Sequence, residues 1–156
     1  MKPNTYSQIY IQLVFAVSCR RALIMPHQKE ALHKFITGVI TKRGQKLYAI
    51  HAMPDHIHIL VSISPSIKIS DLVRDIKTTS SQYIRKHHSG NHNFKWQNGY
   101  GAFSYSKSHL DRVIRYIQNQ EKHHAQKSFK KEYTTLLKKF EIPFEDAYLF
   151  KFVENN

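Results

Sequence analysis

The sequence predicts an α+β domain of the ferredoxin-like, split β-α-β kind, with an antiparallel sheet and additional C-terminal helices. Three observations carry this reading: the order strand-helix-strand-strand-helix-strand, a short Pro54-Asp55 link that makes the middle strands a hairpin, and two more helical stretches afterwards. Residues 6–17 alternate, with Ile9, Ile11, Leu13, Phe15 and Val17 on one side and Gln8, Tyr10 and Gln12 on the other. That is the period of a half-buried strand. Past the break at Pro26, Leu32, Phe35, Ile36, Val39 and Ile40 follow helical spacing, and Gly44 is placed to cap the helix. Strand two runs from about Lys46 to Met53, and strand three begins at His56 and ends before Pro65.

Ser70 reads as an N-cap, with Asp71 favourable in the first turn of a helix running to about His87 and burying Leu72, Val73, Ile76, Tyr83 and Ile84. Residues 89–93 form a loop, and a further strand covers about Gly101 to Ser106. Ser108 starts a third helix whose apolar stripe is Leu110, Val113, Ile114 and Ile117; Ser128 caps a fourth, to about Phe140, before a tail from Pro143. The expected organisation is one domain over residues 1–156, with the helices from about 108 as its C-terminal part.

The chain carries 24 Lys and Arg against 11 Asp and Glu, a formal charge of +13. A small domain this basic is expected to meet a polyanion, nucleic acid first. No apolar run approaches the roughly 20 residues of a membrane-spanning helix, and Met1-Lys2-Pro3-Asn4-Thr5 lacks the apolar region of a signal peptide. Cys19 is the single cysteine, so no internal disulfide is possible and a reducing cytoplasm is the expected location.

Chemistry concentrates in Met53-Pro54-Asp55-His56-Ile57-His58. Residues two apart on a strand share a face, so His56 and His58 project together while Ile57, Ile59, Val61 and Ile63 form an apolar face. Paired imidazoles commonly hold a divalent ion. Tyr116 and Gln120 stand one helical turn apart at the border of the third helix's stripe, a position held on one side and open on the other. A rim tyrosine presenting its hydroxyl to water would occupy the same place. Arg74, Lys77, Ser81 and Arg85 line the polar side of the second helix, Arg112 and Arg115 flank Tyr116, and Arg20-Arg21 end the first strand. These clusters are candidates for phosphate contacts. His123 and His124 read first as a helix end, with a place near the site or near DNA as the alternative, and Trp96 reads as structural.

These words occur in the order found in single-tyrosine transposases of small bacterial and archaeal insertion sequences, members of the HUH (histidine, hydrophobic, histidine) endonuclease superfamily, which the chain resembles from about residue 6 to about residue 150. The further matching words are Trp96-Gln97-Asn98-Gly99-Tyr100-Gly101-Ala102-Phe103-Ser104, Tyr116-Ile117-Gln118-Asn119-Gln120-Glu121-Lys122-His123-His124, Phe129 with Glu132-Tyr133, and Asp146-Ala147-Tyr148-Leu149. The resemblance implies Tyr116 as catalytic nucleophile, His56, His58 and Gln120 as ligands of Mg²⁺ or Mn²⁺, and single-stranded DNA with hairpin-containing ends as substrate. It also implies cleavage through a 5′-phosphotyrosine, and a homodimer whose active sites are shared in trans. Sequence leaves cis and trans placement of Tyr116 open. It also leaves open a domesticated repeat-associated nuclease, a metal-dependent phosphodiesterase using water, and a non-catalytic basic nucleic-acid-binding module.

Overall fold

The computed structural model describes residues 4–18, 23–87 and 92–152. Its elements are β1 (Tyr10–Ala16), α1 (Lys29–Lys42), β2 (Lys46–Ala52), β3 (His56–Ser62), α2 (Ile69–His87), β4 (Gly101–Tyr105), α3 (Leu110–Gln118), α4 (Gln120–His124) and α5 (Phe129–Lys139). The strands form one sheet in the order β2-β3-β1-β4, every neighbouring pair antiparallel. This is the split β-α-β topology the element order predicts.

Alternation divides the sheet into two faces. Leu13, Phe15, Ile57, Ile59 and Val61 are fully buried in one core with Leu32, Ile36 and Ile40 of α1 and Leu72, Val73 and Ile76 of α2. Each such side chain contributes about 1.5–3 kcal/mol relative to exposure. α1 ends as predicted: Gly44, at φ 75°, donates to Thr41 O, and Gln45 N donates to Ile40 O, the paired bonds of a Schellman cap.

On the opposite face the register aligns Gln12 with Leu60, Val14 with His58, and Ala16 with His56. α3 covers part of that face through Leu110, Val113 and Ile117, packed against Tyr10, Ala49 and Leu60. α5 covers the rest. At Gly101 the approach is close, since a Cβ there would stand 2.8 Å from the Tyr133 hydroxyl. The strand is therefore buried on both faces, where alternation alone predicts one wet side.

Three features differ from the sequence reading. α2 starts at Ile69, so Ser70 lies inside its first turn and is not the cap. The third helix is not continuous: it begins with a 3-10 turn at Lys107–His109 and breaks at Asn119 (φ −100°, ψ 25°) into α3 and α4. The polar side of α2 is largely covered beyond Arg74 rather than open. Lys77 Nζ donates to the Gln97 and Gly99 carbonyls at 2.8 and 2.6 Å, Arg85 Nη1 donates to Phe94 O at 2.8 Å, and Ser81 is buried. Trp96 is structural, donating to Ser80 Oγ and meeting Phe15 edge to face. No described helix is long and apolar enough to cross a membrane.

Candidate metal centre

The strand register, α4 and the first turn of α5 bring four candidate ligands to one point. The ligand atoms of His56, His58, His124 and Glu132 all lie within 4.8 Å of one another, so this group can hold a metal ion. The setting is dry: His56, His58 and Gln120 are 0% exposed and Glu132 is 4% exposed. Glu132 Oε1 is ringed by imidazole Nε2 atoms, at 3.0 Å from His58, 3.1 Å from His124 and 3.6 Å from His56.

The outer nitrogens of the two β3 imidazoles are already committed. His56 Nδ1–H donates to Asp55 Oδ1 at 2.7 Å, and His58 Nδ1–H donates to Gln12 Oε1 at 2.8 Å. Gln12 is fixed in turn because its Nε2 donates to the Tyr105 hydroxyl. Phe129 stacks flat on the His56 ring at 3.8 Å. An outer oxygen on one ring nitrogen and a free inward nitrogen is the arrangement of metal-ligating histidine. With its single proton on Nδ1, a neutral imidazole would turn a lone pair at the carboxylate oxygen, an acceptor facing an acceptor in a buried site, unless a proton or a cation stands between them. A cation between them removes that conflict, so the residues present fit a divalent ion.

Gln120 joins the same knot from the start of α4. Its Oε1 lies 3.0 Å from His124 Nε2 and 3.4 Å from His56 Nε2, while its Nε2 donates to Glu132 Oε2 at 3.2 Å. The Tyr116 hydroxyl donates to the same carboxylate oxygen. Tyr116 is half-buried on its own chain's α3, so α3 carries it to the histidines of the same chain. Burial, then the charge and hydrogen bond of Glu132, push its pKa well above the usual tyrosine value. Burial alone would raise the Glu132 pKa, but hydrogen bonds from His124 and His58 hold it well below the carboxylate range.

Sequence reasoning singled out His56, His58, Tyr116 and Gln120, and the structure brings them together. It missed Glu132, Gln12 and the inward turn of His124. Glu132 had a signal: it shares the buried side of α5 with Phe129, Tyr133, Leu136 and Leu137, an acid inside an apolar stripe. Of the basic candidates, Arg112 and Arg115 are exposed on α3, Arg74 is exposed and paired with Asp71, and Lys77 and Arg85 hold carbonyls. Arg20 and Arg21 lie outside the described residues.

A cleft of about 550 Å³ opens between α3 and α5 and ends at Tyr116 and Glu132. Its walls include Tyr105, Val113, Leu136 and Phe140, and Arg112, Lys127 and Lys139 also line it. Those three cations form no ion pair with a described residue.

Two histidines predict how stability depends on pH in the metal-free protein. Burial, with the charges of His51 and Lys29, lowers the His33 pKa from 6.5 to about 4, and His33 Nε2 accepts from Ala52 N–H. Burial also holds His56 at about 4 despite its bond to Asp55. Both pKa values are lower folded than unfolded, so the unfolded chain binds more protons between them. Their contribution is complete above pH 6.5 and is lost as pH falls towards about 4. His124 opposes this: burial would lower its pKa, but the Glu132 carboxylate raises it. Urea unfolding midpoints should therefore fall across that window, and less steeply in His33→Gln, which keeps an acceptor and cannot take the proton.

Residues 5–120 match the sequence profile of a family described as "Transposase IS200 like". The chain is 24% identical over 121 residues to the ISDra2 transposase TnpA of Deinococcus radiodurans, covering 72% of this chain and 84% of that protein. Among solved structures it is similar to a transposase-assigned protein from Deinococcus radiodurans R1, with TM-score 0.58, 22% identity, and 77% and 96% of the two chains covered. It is also similar in fold to a REP-associated tyrosine transposase bound to a REP hairpin, with TM-score 0.58, 16% identity, and 80% and 74% covered.

Proposed function

The chain belongs to the IS200-like transposase family, and from that premise we propose that it cleaves and rejoins single-stranded DNA by transesterification through Tyr116. The observation that supports this most is the Tyr116 hydroxyl in contact with a buried carboxylate that the β3 histidines surround. Tyr116 Oη attacks the scissile phosphorus, the bond to the 3′ oxygen breaks, and the 5′ phosphate stays on the tyrosine. Glu132 Oε2 accepts the hydroxyl hydrogen bond and so orients Oη, while the proton passes to water and water protonates the departing 3′ oxygen. Rejoining reverses these transfers, so the phosphoester needs no nucleotide triphosphate. A divalent ion at His56 and His58, Mg²⁺ or Mn²⁺ by the resemblance, supplies charge stabilisation at the phosphate when bound. The reaction is that of a DNA transposase, both single-strand endonuclease and strand transferase, acting in the cytoplasm.

The strand runs through the cleft between α3 and α5, its phosphates on Arg112, Lys127 and Lys139 and its path ending at Tyr116. Hairpin-containing element ends are the substrate, a reading in keeping with the hairpin bound by the REP-associated relative. Affinity for single strands should fall steeply with salt, and each of Arg112→Ala, Lys127→Ala and Lys139→Ala should reduce the log–log slope by about 1. Fluorescence anisotropy across a salt series reads this. The function itself is tested on a denaturing gel with 3′-labelled strands carrying the element's ends: the label should shift into a protein band when divalent ion is added. Labelled DNA that is cut with no such band favours the water-using phosphodiesterase.

In the single chain α3 lies over its own sheet, so a homodimer with sites shared in trans requires α3 to exchange between copies, and a two-fold pair then holds two composite sites. Tyr116→Phe and His56→Ala/His58→Ala proteins, each inactive, should regain cleavage when their subunits exchange. Mixed dimers that form yet stay inactive place the tyrosine in cis.

A further inference from the structure

We propose that His124 and Glu132 are metal ligands together with His56 and His58, an imidazole-rich set that selects a first-row transition-metal ion over Mg²⁺. This rests on the reading of the site as a divalent-metal centre, and not on the cleavage chemistry.

The spacing carries it. Ligands about 2.0–2.1 Å from a tetrahedral metal stand about 3.3 Å from one another. The three imidazole nitrogens stand 3.0, 3.1 and 3.6 Å from the Glu132 oxygen. Those three distances bracket the tetrahedral edge, and all the ligand atoms lie within 4.8 Å of one another, so a metal is reached by drawing the imidazoles in around it. The ligands come from three separate elements, each independently fixed: β3 by its register, α4 by the turn of chain after Asn119, and α5 by Ser128, whose hydroxyl accepts from Lys131 N. His56 and His58 also have their outer nitrogens anchored.

Chemistry sets the ion. Mg²⁺ demands oxygen ligands in a near-octahedral shell and keeps several waters. Three imidazoles and one carboxylate instead suit Zn²⁺, Co²⁺ or Fe²⁺, and Mn²⁺ more weakly. Gln120 is then not needed to complete the set. Its amide nitrogen braces the far oxygen of Glu132, the oxygen to which Tyr116 also donates. One carboxylate thus faces the metal with Oε1 and the tyrosine with Oε2, which ties the position of Tyr116 to occupancy of the centre.

The test uses the full chain, stripped of metal with a chelator and titrated with Co²⁺. X-ray absorption at the cobalt edge should count three imidazoles in the wild type and in Gln120→Ala, and two in His124→Ala. Glu132→Gln should keep three imidazoles but bind Co²⁺ at least about tenfold more weakly, the loss expected for one anionic ligand. A hundredfold excess of Mg²⁺ should leave the Co²⁺ absorption bands in place. Circular dichroism of the metal-free variants separates ligand loss from unfolding, and His124→Gln replaces His124→Ala if the alanine variant does not fold. Two imidazoles in the wild type, Co²⁺ affinity unchanged in both His124→Ala and Glu132→Gln, or ready displacement by Mg²⁺ overturns the proposal. Because none of these readouts involves DNA, a protein that binds Co²⁺ through three imidazoles yet forms no covalent DNA adduct upholds this inference and removes the cleavage reading alone.

Discussion

Tyr116→Phe should abolish strand cleavage, lowering the rate by on the order of 10⁴-fold or more, as removal of a nucleophile does in other covalent mechanisms. The substitution deletes one hydroxyl from a half-buried ring packed against the small core cluster that joins α3 to the sheet. The ring stays, so α3 should keep its seat on the sheet. Glu132 loses one donor but keeps His58, His124 and Gln120. Single-strand affinity should change little because the proposed phosphate contacts are Arg112, Lys127 and Lys139. Cleavage kinetics, a thermal melt and an anisotropy titration on one preparation separate these terms. A variant that cuts at the wild-type rate removes Tyr116 from the chemistry.

His56→Ala and His58→Ala should each abolish cleavage while leaving single-strand affinity within a few-fold of wild type. Each substitution removes a proposed metal ligand and also frees its hydrogen-bond partner: Asp55 loses the His56 Nδ1–H donor, and Gln12 Oε1 loses that of His58. A buried acceptor left unpaired costs about 1–3 kcal/mol. The metal-free variants should therefore melt below the metal-free wild type, His58→Ala by more, since Gln12 is fully buried and Asp55 is not. Single-turnover cleavage with excess divalent ion is the measurement. Normal rates in both variants would remove the histidines from the site.

The parts of this site legible in the sequence are those set by local periodicity. Strand alternation places His56 and His58 on one face, and helical spacing puts Tyr116 at the border of the Leu110, Val113 and Ile117 stripe. The topology was legible for the same reason, because the Pro54-Asp55 hairpin and helix-length connections leave few ways to order four strands. Glu132 and His124 were not legible as site residues. Glu132 meets His58 across 74 residues of sequence, and nothing local separates a buried acid in a first helical turn from an exposed one favoured by the helix dipole. Its place among Phe129, Tyr133 and Leu136 was the available sign. The break at Asn119 carries no Gly or Pro, so periodicity ran through it. Lys77 and Arg85 read as a phosphate-binding stripe because only the tertiary fold lays residues 94–99 against them.

Mass spectrometry of the trapped protein–DNA adduct tests the central claim most directly. Protein incubated with a single-stranded element end and divalent ion is denatured and digested with nuclease and trypsin, and the peptide retaining a nucleotide is sequenced. The account predicts one 5′-phosphorylated nucleotide on Tyr116, matched by a free 3′-hydroxyl on the released fragment. Cut DNA with no nucleotide on any peptide, or with the nucleotide on a residue other than Tyr116, contradicts it.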